Sequence, residues 1–224
     1  MIRTLVTAVL YCMTGIVLAA VPGVPRHTIE ARLSPDSGEL HLVDDVQLTG
    51  RDHFTFRLAP WLYLARVTID NAAAAAARDG QHYRLALPDR GQHVLRFEMQ
   101  GTVPPRGTAG ALSNSGGDGA YLPGFAAWLP LDDRERMRYR LTVSVPAGHR
   151  AVATGKLTEE QTRADGYRAT FVVERAAEPP SLFTGPYVIR EKVAQDIRLR
   201  TYLHAELVDL ADGYLQSAGA YIER

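Results

Sequence analysis

Any chemistry done by this chain would have to come from its histidines and acidic side chains, and their spacing does not favour it. The histidines are His27, His41, His53, His82, His93, His149 and His204. None belongs to a His-Glu-x-x-His pair, the helical spacing that sets two imidazoles on one metal beside a glutamate base. No two stand at another short ligand spacing, and each falls in or beside a strand-like segment, which predicts solvated surface histidines. The chain has no Gly-x-Ser-x-Gly elbow, no phosphate-binding loop and no dinucleotide fingerprint. Asp44-Asp45 and Asp132-Asp133 are adjacent acids without the oxygen-dense loop that calcium requires, so they and Glu159-Glu160 read as solvated turns. No catalytic, cofactor-binding or metal-binding residue is assigned. One run stands apart: Tyr121-Leu-Pro-Gly-Phe125-Ala-Ala-Trp128-Leu-Pro130. Its Tyr121, Phe125 and Trp128 are candidates for a cleft wall or binding loop. Equally, they could plug one end of a β-sandwich.

The elements around this run are strands. Thr28 to Leu33 alternates apolar and polar residues, and Pro35-Asp-Ser-Gly38 ends it with turn residues. Further alternation runs through Leu40 to Leu48, where Asp44-Asp45 suggests a bulge, then Phe54 to Leu58, Leu64 to Ile69 and Tyr83 to Leu87. It continues at Val94 to Met99 and strongly over Met137 to Val145, with four further segments between Val152 and Leu203. The six alanines Ala72 to Ala77 have high helix propensity, but six residues cannot offset helix nucleation, and Asp79-Gly80 follows as a hairpin signal. That segment is expected to be an extended edge. The Gly- and Pro-rich stretch from Pro104 to Gly119 reads as a long surface loop or lid. The prediction is an all-β domain over residues 26–204, an antiparallel sandwich or saddle-shaped pair of sheets.

The two ends differ. Arg3 followed by an uncharged apolar run to Ala20, with Pro22 beyond, has the layout of a cleavable export signal. An uncleaved membrane anchor over residues 4–20 is the alternative, although the run is marginal for spanning a bilayer. At the other end, residues 205–224 place Leu207, Leu210, Ala211, Tyr214, Ala218, Tyr221 and Ile222 at helical spacing. No glycine or asparagine cap follows, so the stripe reads as the start of a helix that needs a partner. Leu207, Leu210, Tyr214 and Tyr221 are the candidate interface. Twenty-five basic against 25 acidic residues give no net charge, which argues against a nucleic-acid partner. A single cysteine, Cys12, excludes an internal disulfide framework.

The order of features resembles the N-terminal domain of M1-family zinc aminopeptidases. The likeness rests on the Gly-rich loop, Tyr121-Leu-Pro with Trp128-Leu-Pro, Tyr139-Arg-Leu-Thr-Val-Ser-Val-Pro-Ala-Gly148 and Ala151-Val-Ala-Thr-Gly155. It continues through Ala169-Thr-Phe-Val-Val-Glu174, Glu178-Pro-Pro-Ser-Leu-Phe-Thr-Gly-Pro-Tyr187 and Ile197 to Leu203. The resemblance implies a non-catalytic β domain that walls a peptide cleft and packs on a catalytic domain, to which residues 205–224 would lead. It implies zinc in the full-length parent and none in this chain, which would be inactive alone. Such domains often contribute a Gln or Glu near the substrate amine, and residues 121–130 contain neither. With the leader, the resemblance implies an exported protein, periplasmic or extracellular, touching a membrane only if the leader is retained. Two other readings remain open: a free-standing module binding peptide or glycan, and an interaction subunit for a separate catalytic chain.

Overall fold

The computed structural model describes residues 23–132 and 136–223. The expected leader, residues 1–20, and Asp133 lie outside them. Alternation organises the chain from Arg26 onward. Strands β1 (Arg26–Ser34) and β2 (Glu39–Thr49) form a hairpin that buries Ile29, Ala31, Leu33, Leu40, Leu42 and Val46. Strands β3 (His53–Arg57) and β4 (Leu62–Ile69) follow. The alanine run is extended: β5 (Ala72–Ala73) and β6 (Ala77–Asp79) are short exposed strands, and β6 turns into β7 (His82–Ala86) at Gly80. Local turns fix this outcome, because Asp70 and Asn71 both take positive φ, 51° and 68°, and fold β5 back onto β4.

Next come β8 (Gln92–Thr102), β9 (Asn114–Gly116), β10 (Gly119–Leu122), β11 (Met137–Pro146) and β12 (Arg150–Ala153). They are followed by β13 (Lys156–Arg163), β14 (Gly166–Ala177), β15 (Leu182–Gly185), β16 (Val188–Ala194) and β17 (Ile197–Leu203). Eight strands form one sheet in the order β13-β14-β11-β1-β2-β8-β4-β5. A four-stranded sheet, β12-β15-β10-β9, and a three-stranded one, β3-β7-β6, pack with it around one apolar cluster. Aromatic rings join the layers: Phe56 lies 5.0 Å from Tyr83 and 5.0 Å edge-on to Phe97 of the large sheet. The expected antiparallel architecture has one exception among the described ladders. β1 and β11 run parallel, with Ile29 opposite Leu141.

Four expectations are corrected. Glu159-Glu160 is not a turn: both residues lie within β13, opposite Thr170 and Ala169 of β14, because the turn falls later, between Arg163 and Gly166. Asp44-Asp45 makes neither bulge nor turn: β2 pairs with β8 in unbroken register, and Asp44 keeps the inward phase of the strand, fully buried. Its cause is His27, inward on β1, whose Nδ1 lies 2.8 Å from Asp44 Oδ2. The histidines are not all solvated, since His27, His93 and His149 are buried. The second half of the Gly-rich stretch is a hairpin, β9 and β10, rather than a loop. Gly119 permits it: at φ 121° a Cβ there would stand 1.9 Å from the Thr184 carbonyl.

The chain's last segment stands apart from the core. β16 and β17 form their own two-stranded sheet, turned through Gln195 and Asp196 at positive φ. A 3₁₀ stretch, Ala205–Leu210, leads into helix α1 (Ala211–Ile222), so the regular helix begins later than its apolar stripe suggests. Against the hairpin it buries Ala211, Leu215 and Gly219, the last close over Ala194 and Leu199. None of the residues in the apolar cluster lies beyond Leu182.

Candidate functional site

The run between Tyr121 and Pro130 becomes a single tight turn clamped from both sides. Pro123 supplies the extended entry, φ −69° and ψ 145°, to a 3₁₀ turn at Gly124–Ala126. Ala127 leaves in the left-handed conformation, φ 53°, an unfavourable choice for a residue with a Cβ that the surroundings must hold in place. They do so by several hydrogen bonds. Ala59 N donates to Ala127 O at 2.8 Å, Gly124 N to Ser181 Oγ at 3.0 Å, and Arg57 Nη2 to Phe125 O at 3.1 Å. Trp128 Nε1 donates to the Pro180 carbonyl at 3.0 Å. Gly124 lies so close to the Glu178–Ser181 segment that a Cβ would sit 2.2 Å from Pro179 O.

This arrangement separates the three candidate residues. Trp128 is completely buried, so it pins the turn to the core and walls no cleft. Tyr121 stacks on Phe183 with ring centroids 4.5 Å apart. Phe125 is held outward, 62% exposed, on the rim of a groove of about 260 Å³ shared with Arg57, Asp132, Glu178 and Pro179. A second groove of about 560 Å³ lies on the other side of the turn, between Trp61, Pro104, Leu112 and Ala126. The residues that present Phe125, namely Arg57, Ala59 and Pro179 to Ser181, come from segments more than 40 positions away. Nothing in their own spacing announces the role. By contrast, Asp44 and His27 fall in the inward phase of their strands, and that phase is the signal that could have identified them.

Two clusters of titratable groups lie outside the residues that line the groove. His93 Nδ1 lies 2.7 Å from Asp70 Oδ2 and its Nε2 3.2 Å from Asp89 Oδ1. The bond to Asp70 raises the His93 pKa above its ordinary value, against the opposing effect of burial. The same bond, with one from Val94 N, lowers Asp70. On the far side, Glu160 accepts from Tyr167 and Arg200. Burial pulls the Glu160 pKa upward, but these partners hold it net below the usual range. Among the described residues no three His, Cys, Asp or Glu side chains converge as a metal site would require. The described residues therefore do not fit a zinc ion.

At the end of the chain, the candidate interface residues face solvent. Leu207, Leu210, Tyr214 and Tyr221 are 44%, 51%, 58% and 80% exposed: the 3₁₀ stretch buries none of its residues, and α1 turns Ala211, Leu215 and Gly219, not this stripe, inward. Among the described residues no helix is long and apolar enough to cross a membrane.

The mixed sheet of eight strands with its two smaller sheets is a fold that this chain shares with part of solved M1 zinc metallopeptidases. No protein-family profile and no curated protein sequence matches the chain. Solved structures do. The M1 zinc metallopeptidase of Deinococcus radiodurans is similar with TM-score 0.64 and 18% identity, over 81% of this chain and 46% of that one. A mutant of that enzyme bound to a Tyr-Ser-Ala substrate gives 0.66 and 17%, over 81% and 47%. Legionella pneumophila aminopeptidase A, in complex with aspartic acid, gives 0.67 and 9%, over 84% and 25%. At these identities the likeness establishes the fold, in agreement with the resemblance carried by the sequence motifs. The chain spans less than half the length of these neighbours.

Proposed function

We propose that this chain is the non-catalytic N-terminal domain of an exported M1-type zinc aminopeptidase, flanking the peptide cleft and packing on the catalytic domain. The observation that carries the reading is the fold shared with such enzymes over 81% of this chain and less than half of theirs. The solvent-facing stripe Leu207, Leu210, Tyr214 and Tyr221 supports it, because a second domain seated there would bury those side chains. The peptide-bound neighbour supports a peptide as the substrate of the whole protein. In the parent enzyme, zinc held by the catalytic domain would polarise the scissile carbonyl and activate water. This domain's own contribution is positional. The turn clamped between Ala59 and Ser181 holds Phe125 rigidly at a groove rim, where it narrows the cleft and aligns the bound chain. Export rests on the leader at residues 1–20.

The test has two parts. The reading frame following the codon for Arg224 should encode His-Glu-x-x-His with a more distant Glu. The product of that whole frame should release amino acids from aminoacyl-naphthylamides in a chelator-sensitive reaction, and residues 1–224 alone should not. Chelator-sensitive turnover by residues 1–224 alone, or a stop codon after Arg224, overturns the proposal.

A further inference from the structure

Among the described residues the terminal hairpin and α1 contribute nothing to the apolar cluster of the large sheet, yet a buried charge crosses between them. Arg200, on β17, has a side chain only 13% exposed. Its Nη2 donates to both oxygens of Glu160 on the edge strand β13, at 3.2 and 2.9 Å. Nη1 donates to Tyr202 OH at 3.0 Å. Glu191, opposite Arg200 on β16, places a carboxylate oxygen 2.8 Å from Nε as an ion pair, without the alignment of a hydrogen bond. Glu160 is fixed in turn by Tyr167 of β14, whose hydroxyl donates to it at 2.7 Å. The contact thus ties residues 40 positions apart, with one guanidinium nitrogen engaging both carboxylate oxygens in a charge-assisted contact. Near the chain connection the packing is aromatic: Tyr187 stands edge-on to Tyr202 and His204, at 6.3 and 5.1 Å.

We infer that Arg200 and Glu160 form a clasp that fixes the angle of the terminal lobe, residues 188–222, against the large sheet, and so sets the direction in which the Leu210 and Tyr214 face of α1 is presented. Arg200 is a positioning residue, and only the consequence for docking rests on the function proposed above. Within the lobe Arg200 also holds Glu191 and Tyr202. Two variants therefore separate its roles. Glu160→Gln removes the charge across the junction and leaves the lobe's own contacts, whereas Arg200→Met removes both.

The experiment uses the full chain with Cys12→Ser, spin-labelled at Thr28→Cys on β1 and Ser217→Cys on α1, both exposed positions. Double electron–electron resonance should give one narrow distance for the parent. The Glu160→Gln variant should lose that single distance for a broad distribution, while circular dichroism shows the sheet and helix retained. Arg200→Lys, which keeps the charge but has one nitrogen in place of the three that meet Glu160, Tyr202 and Glu191, should fall between parent and Glu160→Gln, and Arg200→Met should broaden at least as far as Glu160→Gln. A distribution as narrow in Glu160→Gln as in the parent overturns the inference. That outcome would leave the aminopeptidase reading untouched, since the latter fails on the reading frame and turnover instead.

Discussion

Trp128 is where the architecture predicts its largest single-residue effect. A tryptophan buries about 150–250 Å², which at roughly 25 cal/mol per Å² corresponds to about 4–6 kcal/mol of transfer free energy. Measured aromatic truncations in cores cost about 3–5 kcal/mol. For a domain near this size, about 2–4 °C is lost per kcal/mol, so Trp128→Ala should melt about 6–20 °C lower. Trp128→Phe isolates the polar part. It keeps most of the ring contact but leaves the Pro180 carbonyl without its 3.0 Å donor, a loss of about 1–3 kcal/mol. Urea unfolding followed by far-ultraviolet circular dichroism reads both variants. Hydrogen exchange at Ala126, whose amide donates to Pro123 O at 2.9 Å, should accelerate in the same order, because the turn that carries Phe125 is released. A Trp128→Phe protein within about 0.5 kcal/mol of the parent, the range of an ordinary surface change, would refute the claim that Trp128 pins this turn.

Other consequences are equally direct. Gly124→Ala places a methyl group 2.2 Å from Pro179 O and should cost about 1–3 kcal/mol by overpacking, whereas Gly213→Ala, on an open helical face, should gain up to about 1 kcal/mol; paired urea midpoints test the contrast. His93, with its pKa raised by Asp70, contributes stability that is complete below the unfolded value of about 6.5 and is lost as pH rises through the higher folded value. Asp70→Asn should therefore flatten the loss of stability between slightly acidic and slightly alkaline buffer, and an unchanged slope would remove this assignment. Leu210→Ala with Tyr214→Ala removes two half-exposed apolar side chains, worth together about 2–3 kcal/mol if covered by the catalytic domain. Affinity for that domain, measured by calorimetry, should fall about 30- to 150-fold, while the thermal midpoint of this chain stays in place.

Much of the strand content was written in alternation. Met137, Tyr139, Leu141, Val143 and Val145 all face inward as their period of two predicts, since alternate residues of a pleated strand share one face. The alanine run was legible as extended because six residues cannot offset helix nucleation and Asp79-Gly80 follows as a hairpin signal; the turn before it, at Asp70 and Asn71 with positive φ, was visible only in the structure. The aromatic run was legible as special, but not in its division of labour. Whether Trp128 lines a groove or fills the core depends on Pro180, and whether Phe125 is exposed depends on Arg57 and Ser181, all distant in sequence.

The same division holds at the chain's end. Helical period and a C-terminal stripe are local properties, set by 3.6 residues per turn and readable from side-chain order. Which face of α1 meets the hairpin is not local: Gly219 lies close over Ala194 and Leu199 with Leu215 buried on the same side, and Tyr214 is left toward solvent. The fit of Ala211, Leu215 and Gly219 against the hairpin decides the face, and that fit exists only once β16 and β17 have formed the surface beneath.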